Sequence, residues 1–260
     1  MSGRIRVERD GRLGWIVFDQ PARRNAISAA MWQAVPQAAR ELDEDPDVRV
    51  LLLRGEGDVA FVSGADISEF GERRTGSAAA EYDDQNARAF VALAAVRKPV
   101  IALIHGFCVG GGCAIALTAD LRYAADDGVF GVPAARLGLG YSAAGIEKLV
   151  DTVGLPAAKE IFFTGRRFDA REAYHMGLVN RVFPKPELEA EVRTIAEGIA
   201  ENAPITLRSA KLIFGDLVSD PSRRDALAAA RSIRECYDSD DYQEGVRAFL
   251  EKRRPVFRGK

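Results

Sequence analysis

The stretch Ile101-Ala-Leu-Ile-His105-Gly-Phe-Cys-Val-Gly110-Gly111-Gly112-Cys113-Ala114-Ile-Ala-Leu117 decides how this chain is read. An apolar run passes through three consecutive glycines into a second apolar run rich in small residues, which predicts a buried strand, a tight turn and a helix beginning near Cys113. Glycines weaken both strands and helices, so three together are expected where the backbone turns sharply or where a ligand must come close to it. The N–H of Gly111 then lies at the positive end of a helix dipole. Residues 100–119 are apolar enough to suggest a membrane span, but His105 and four glycines in the middle favour the buried strand, turn and helix.

The same alternation extends outward. Runs at 4–7, 13–19, 48–54 and 99–104 read as strands, and residues 28–43 and 77–96 as helices, with Phe90, Leu93 and Val96 on one face of the second. Strands alternating with helices indicate βα-type units and an α/β fold. From Pro156 onward the strand signals fade, and helices are expected over 157–163, 170–176, 186–202, 204–217, 222–237 and 242–252. The expected division is therefore a core over residues 1–195 and a helical region over 196–260. There is no internal repeat or low-complexity tract.

The chain has 260 residues, 47% of them apolar, enough to bury a large core. Its formal net charge of −2 gives no field for nucleic acid or an anionic membrane surface. Three cysteines, Cys108, Cys113 and Cys236, form no CxxC pair, and a reducing, cytosolic setting is the expectation. The charged opening Met1 to Asp10 lacks the apolar core of a secretory signal. No cluster has the spacing of a metal site.

Three further segments stand in order around the glycines: Pro21-Ala-Arg23-Arg24-Asn25-Ala26, Ser63-Gly-Ala65-Asp66-Ile67, and Val129-Phe-Gly131-Val-Pro133-Ala134-Ala135-Arg136-Leu-Gly138. The chain closes with Ala248-Phe249-Leu-Glu-Lys252-Arg-Arg-Pro255. Together with Gly110 to Cys113 they resemble the signature of the crotonase superfamily, the enoyl-CoA hydratase/isomerase family, over almost the whole chain. The resemblance implies a spiral of ββα units with a C-terminal α-helical trimerisation region, an acyl-CoA ligand, and a homotrimer or dimer of trimers. It implies no cofactor beyond the coenzyme A of the substrate, and neither a nucleic-acid nor a membrane partner. By motif position, the backbone N–H groups of Ala65 and Gly111 form the oxyanion hole. Arg23, Arg24, Ala26, Ser63, Asp66 and Ile67 match positions that cradle coenzyme A. Phe249 and Lys252 match positions reaching the coenzyme A of a neighbouring subunit, and their spacing predicts one shared helix face.

Hydratases of the family carry a glutamate after Gly-Gly-Gly-Cys and another after the proline. Here those places hold Ala114 and Ala134. Hydration needs an activated water and a delivered proton, which alanine cannot supply. Backbone donors survive side-chain substitution, so decarboxylation of a malonyl-type thioester, which makes an enolate without a base, is the leading expectation. Tyr141 stands where the family's methylmalonyl-CoA decarboxylases also have tyrosine, and it is either the polar group that orients the carboxylate or protonates carbon, or a wall residue; those enzymes have histidine at Ala65. Thioester hydrolysis, residual hydration and a non-catalytic acyl-CoA carrier are the alternatives. His105 reads as a satisfied structural imidazole, His175 as a cap on helix carbonyls, and Cys113 lacks a visible base partner. The segment 69–85, which walls the acyl pocket in the family, shows no pattern from which chain length can be read.

Overall fold

The computed structural model describes residues 3–69 and 77–260. The chain opens with a hairpin, β1 (Arg4–Asp10) antiparallel to β2 (Leu13–Asp19), followed by α1 (Ala29–Glu44). Three passages then repeat one pattern, a strand of a large sheet followed at once by a short strand of a second sheet. They are β3 (Val50–Gly55) with β4 (Ala60–Val62), β5 (Val100–Ile104) with β6 (Phe107–Val109), and β7 (Leu121–Ala125) with β8 (Val129–Gly131). The first is followed by α2 (Ser77–Ala94), the second by α3 (Gly111–Ala116), and the third by α4 (Ala134–Leu137) and α5 (Ala143–Thr164). This is the expected ββα spiral.

The large sheet has the order β1-β2-β3-β5-β7-β10, where β10 is Arg181–Phe183; the small one has the order β4-β6-β8-β9, where β9 is Phe168–Asp169. From β2 to β10 the large sheet is parallel. Alternate residues go to opposite faces, as the period of a strand requires. Ile16, Phe18, Leu51, Leu53, Ala102 and Ile104 join the core against α1 and the second sheet, while Trp15, Val17, Leu52, Ile101, Leu103 and Tyr123 join a second core. That second face is covered by Leu188, Val192, Ala196 and Ala200 of α7 (Leu188–Ala200). Burial on both faces explains why these strands read as continuous apolar runs.

The remaining helices are α6 (Ala170–His175), α8 (Pro204–Leu217), α9 (Ala226–Tyr237) and α10 (Asp240–Leu250). Several elements depart from the sequence reading. Strands β9 and β10 lie between the expected helices, where no strand was predicted, because two or three residues are too few to show a period. The helix expected over 157–163 is the second half of α5, which follows a break at Gly154 (φ 74°, ψ 159°) just before Pro156; the half before the break, from Ala143, was not expected. The helix expected from 222 begins at Ala226, after a 3₁₀ turn at Pro221–Arg223. The boundary drawn at 195/196 falls inside α7, whose buried face belongs to the sheet. The family's acyl-wall segment 69–85 falls partly on residues 70–76, which lie outside the described residues.

Candidate active site

Strands β4, β6 and β8 run parallel side by side, with Ala60 and Val62 opposite Phe107 and Cys108, and Val109 opposite Gly131. Their carboxyl ends therefore deliver three loops to one place, where ligands gather in parallel α/β sheets: Ser63 to Asp66, Gly110 to Gly112, and Val132 to Ala134. The Gly110 N–H donates to the Gly131 carbonyl at 2.8 Å, tying the second loop to the third.

The three glycines divide into two kinds. Gly110 has a φ of 54° and caps α3, and a Cβ on Gly112 would stand 2.1 Å from the Val62 carbonyl oxygen, so both are required by backbone geometry alone. Gly111 is different. A Cβ there would make only ordinary contacts, 3.4 Å from Cζ2 of Trp32 and 3.6 Å from the Ala65 nitrogen. Gly111 thus stands beside the Ala65 N–H, with room for a methyl-sized group next to that nitrogen. The helix starts at Gly111 rather than near Cys113, which makes the Gly111 N–H one of the first-turn donors that have no partner within the helix.

The Ala65 N–H is exposed to that space by the bonding on either side. The Gly64 carbonyl accepts from Ile27 N–H at 2.8 Å and Asp66 N–H donates to the Ile27 carbonyl at 2.9 Å, while Ala65 N–H has no partner among the described residues. Ser63 joins the same lacing through its N–H to the Arg24 carbonyl and its Oγ to the Arg23 carbonyl. The two segments matched to coenzyme A are therefore bound to each other. Arg23 donates to both carboxylate oxygens of buried Asp66 at 2.7 Å, and Gln20 and Ser68 also donate to it. Burial pushes the Asp66 carboxyl upward, but hydrogen bonds from Ser68, Arg23 and Gln20 outweigh it and hold the group below its ordinary value. Arg24, in the left-handed region, lays its guanidinium over the Phe107 ring at 4.6 Å, Ala26 is buried, and Ile67 is exposed.

Ala114 lies one turn into α3 and is half-buried; Ala134 heads α4 and is 3% exposed. No acidic side chain stands at either position, so neither helix offers a carboxylate there. Tyr141, in the loop between α4 and α5, packs its ring edge-on to Phe162 at 5.2 Å and joins the core as a partly buried residue.

Phe249 is 82% exposed on α10, in an apolar groove of about 650 Å³ lined by Ile213, Ile233, Tyr242, Val246 and Phe257. Lys252 corrects the expectation of a shared helix face. The helix ends at Leu250, and Lys252 has a φ of 55°, beyond the last turn, where helical spacing no longer applies.

The histidines are placed as structural residues with one correction. His175 ends α6 with Nδ1 2.7 Å from the Arg171 carbonyl, as a cap. His105 is 7% exposed, but its Nε2 has no partner among the described residues, so it is buried without being satisfied; burial lowers its pKa. Cys113 donates to the Cys108 carbonyl at 2.8 Å and is buried. No metal-binding cluster is present among the described residues, and none of their helices is long and apolar enough to cross a membrane. Sequence reasoning missed Trp32, which borders the Gly111 space. Its place in α1 as an apolar helix residue carried no sign of that.

Comparison with known proteins agrees with this architecture. The family model for enoyl-CoA hydratase/isomerase matches residues 8–260. The chain is 35% identical over 253 residues to a protein of Mycobacterium tuberculosis named probable enoyl-CoA hydratase echA8, and 33% identical over 253 residues to the crotonyl-CoA hydratase of Syntrophomonas wolfei; each alignment covers 97% of both chains. A crystal structure of an enoyl-CoA hydratase/carnitine racemase from Magnetospirillum magneticum superposes with a TM-score of 0.93 at 36% identity, covering 98% of this chain and 96% of that one. Matched along its full spiral and not only at its glycines, the chain belongs to the enoyl-CoA hydratase/isomerase family of the crotonase superfamily.

Proposed function

We propose that this chain is an enzyme that binds an acyl-CoA thioester and stabilises negative charge on its carbonyl oxygen with the N–H groups of Ala65 and Gly111. The observation that carries the reading is the closeness of Gly111 to the Ala65 N–H, which has no partner among the described residues: an added Cβ on Gly111 would stand 3.6 Å from that nitrogen. Preorganised donors of this kind each lower a transition state by roughly 3 kcal/mol. The Arg23–Asp66 pair fixes the loop carrying Ala65, so the donor needs no reorganisation as charge develops.

For the reaction itself, the names of the relatives favour hydration of an enoyl thioester, and that is the first activity to assay. Ala114 and Ala134 oppose it, because neither activates water nor delivers a proton. A hydratase built on this chain would need another group to hold the water, and Tyr141 is the one the sequence offers. Loss of CO2 from a malonyl-type thioester is the second reading. It draws on the two alanines and Tyr141, since the departing carboxyl leaves its electron pair on the α-carbon as an enolate without any base; the compared relatives do not carry that activity in their names. In either case the subunits are expected to assemble through the exposed helical region, with Phe249 and Lys252 serving a neighbour.

A mass-spectrometric time course with crotonyl-CoA, malonyl-CoA and methylmalonyl-CoA, on wild type, Gly111→Ala and Tyr141→Phe, tests these readings. Any product that Gly111→Ala abolishes supports the oxyanion site, and the product identity separates hydration from decarboxylation. Tight binding of all three without product would replace the enzyme reading with that of a carrier.

A further inference from the structure

The oxyanion reading, on which this inference rests, says nothing about what the acyl group meets. The point where a Gly111 Cβ would stand is 3.4 Å from Cζ2 and 3.7 Å from Cη2 of Trp32, as well as 3.6 Å from the Ala65 nitrogen. The benzo edge of one indole thus stands beside the point between the two donors. Trp32 is 1% exposed. Its Nε1 donates to the hydroxyl of buried Tyr82 at 3.2 Å, and the Phe90 ring meets it edge-on at 5.2 Å and 74°. Tyr82 and Phe90 both belong to α2, so the indole is clamped between two packed helices. The hydrogen bond and the edge-to-face contact favour this one placement of the ring.

We infer that Trp32 is the floor of the acyl pocket and restricts this protein to short acyl chains. A thioester whose oxygen lies between Ala65 and Gly111 places its next carbons beside the benzo ring. A chain of a few carbons fits along that edge, whereas a long one needs the volume the indole fills. Tyr82 is a positioning residue in this arrangement, since it acts through the Trp32 Nε1 bond.

The test is isothermal titration of wild type, Trp32→Leu and Trp32→Phe with CoA, butyryl-CoA and decanoyl-CoA. Wild type should prefer butyryl-CoA. Each methylene that gains an apolar wall improves binding by about fourfold, so the decanoyl-to-butyryl affinity ratio should rise by at least about tenfold in Trp32→Leu and by less in Trp32→Phe. Because a residue-32 variant can fail to fold, a second measurement uses Trp15→Phe, which leaves Trp32 as the one indole of the chain. Butyryl-CoA should change its fluorescence and CoA should not. An unchanged ratio in the variants, or unchanged emission when calorimetry records butyryl-CoA bound, overturns the inference and leaves the acyl-CoA reading standing. Failure of any acyl-CoA to bind overturns both.

Discussion

Adding one methyl group at adjacent glycines should separate folding from chemistry. In Gly112→Ala the new Cβ stands 2.1 Å from the Val62 carbonyl oxygen, about 1.2 Å inside an ordinary C···O contact of about 3.3 Å. Backbone faces it on a buried strand, so α3 and β4 must part, at a cost of about 1–3 kcal/mol. For a chain of this size that lowers the melting temperature by about 2–12 °C. In Gly111→Ala the nearest atoms are 3.4 Å or more away, and φ lies outside the left-handed region, so the fold accepts the methyl. Stability should stay level or rise by about 0.4–1 kcal/mol through a less flexible unfolded chain. A methyl carbon 3.6 Å from the Ala65 nitrogen nevertheless competes with an oxygen that must sit about 2.9 Å from it. Turnover should fall by about 10²–10³, the value of one oxyanion donor. Calorimetric melting and the product assay, run side by side, check this. A Gly111→Ala protein that melts normally and turns over at the wild-type rate would refute the placement of the oxyanion hole.

Three further outcomes are expected. Asp66 has its folded pKa lowered, so its contribution is present above the unfolded value of about 3.9 and disappears as pH falls through the folded one; melting temperature against pH between 2 and 5 should fall less steeply in Asp66→Asn, which is already missing the carboxylate's bonds. For His105 the lowered pKa belongs to a base, so the unfolded chain binds the extra proton and stability declines as pH drops through about 6.5. Urea unfolding at pH 7.5 and 5.5 should show a smaller loss in His105→Leu than in wild type. Finally, Ala114→Glu with Ala134→Glu should raise crotonyl-CoA hydration by at least about tenfold if water activation is what the wild-type helices lack; an unchanged rate in a folded double variant would mean that the hydration chemistry is supplied elsewhere.

Much of the spiral was legible because its physics is local. The strand from Val100 to Ile104, the glycine turn and the following helix follow from apolar runs and backbone freedom, and β2, β3, α1 and α8 fall within a residue or two of their expected limits. The absence of carboxylates at 114 and 134 is likewise complete in the sequence, since no folding can give alanine a proton to donate. Elsewhere the local signal ran out. Strands of two or three residues such as β9 and β10 exist because neighbouring strands offer them partners. Only the folded chain separates the glycines, with Gly112 answering to the Val62 carbonyl of β4 and Gly111 meeting nothing closer than ordinary contact. It also brings Trp32, one apolar residue of α1, beside Gly111, and pairs Arg23 with Asp66 across 43 residues of sequence. The sequence determines which groups the chain possesses and which local backbone shapes they favour. Which groups share a space depends on contacts between distant segments, and those are settled by packing.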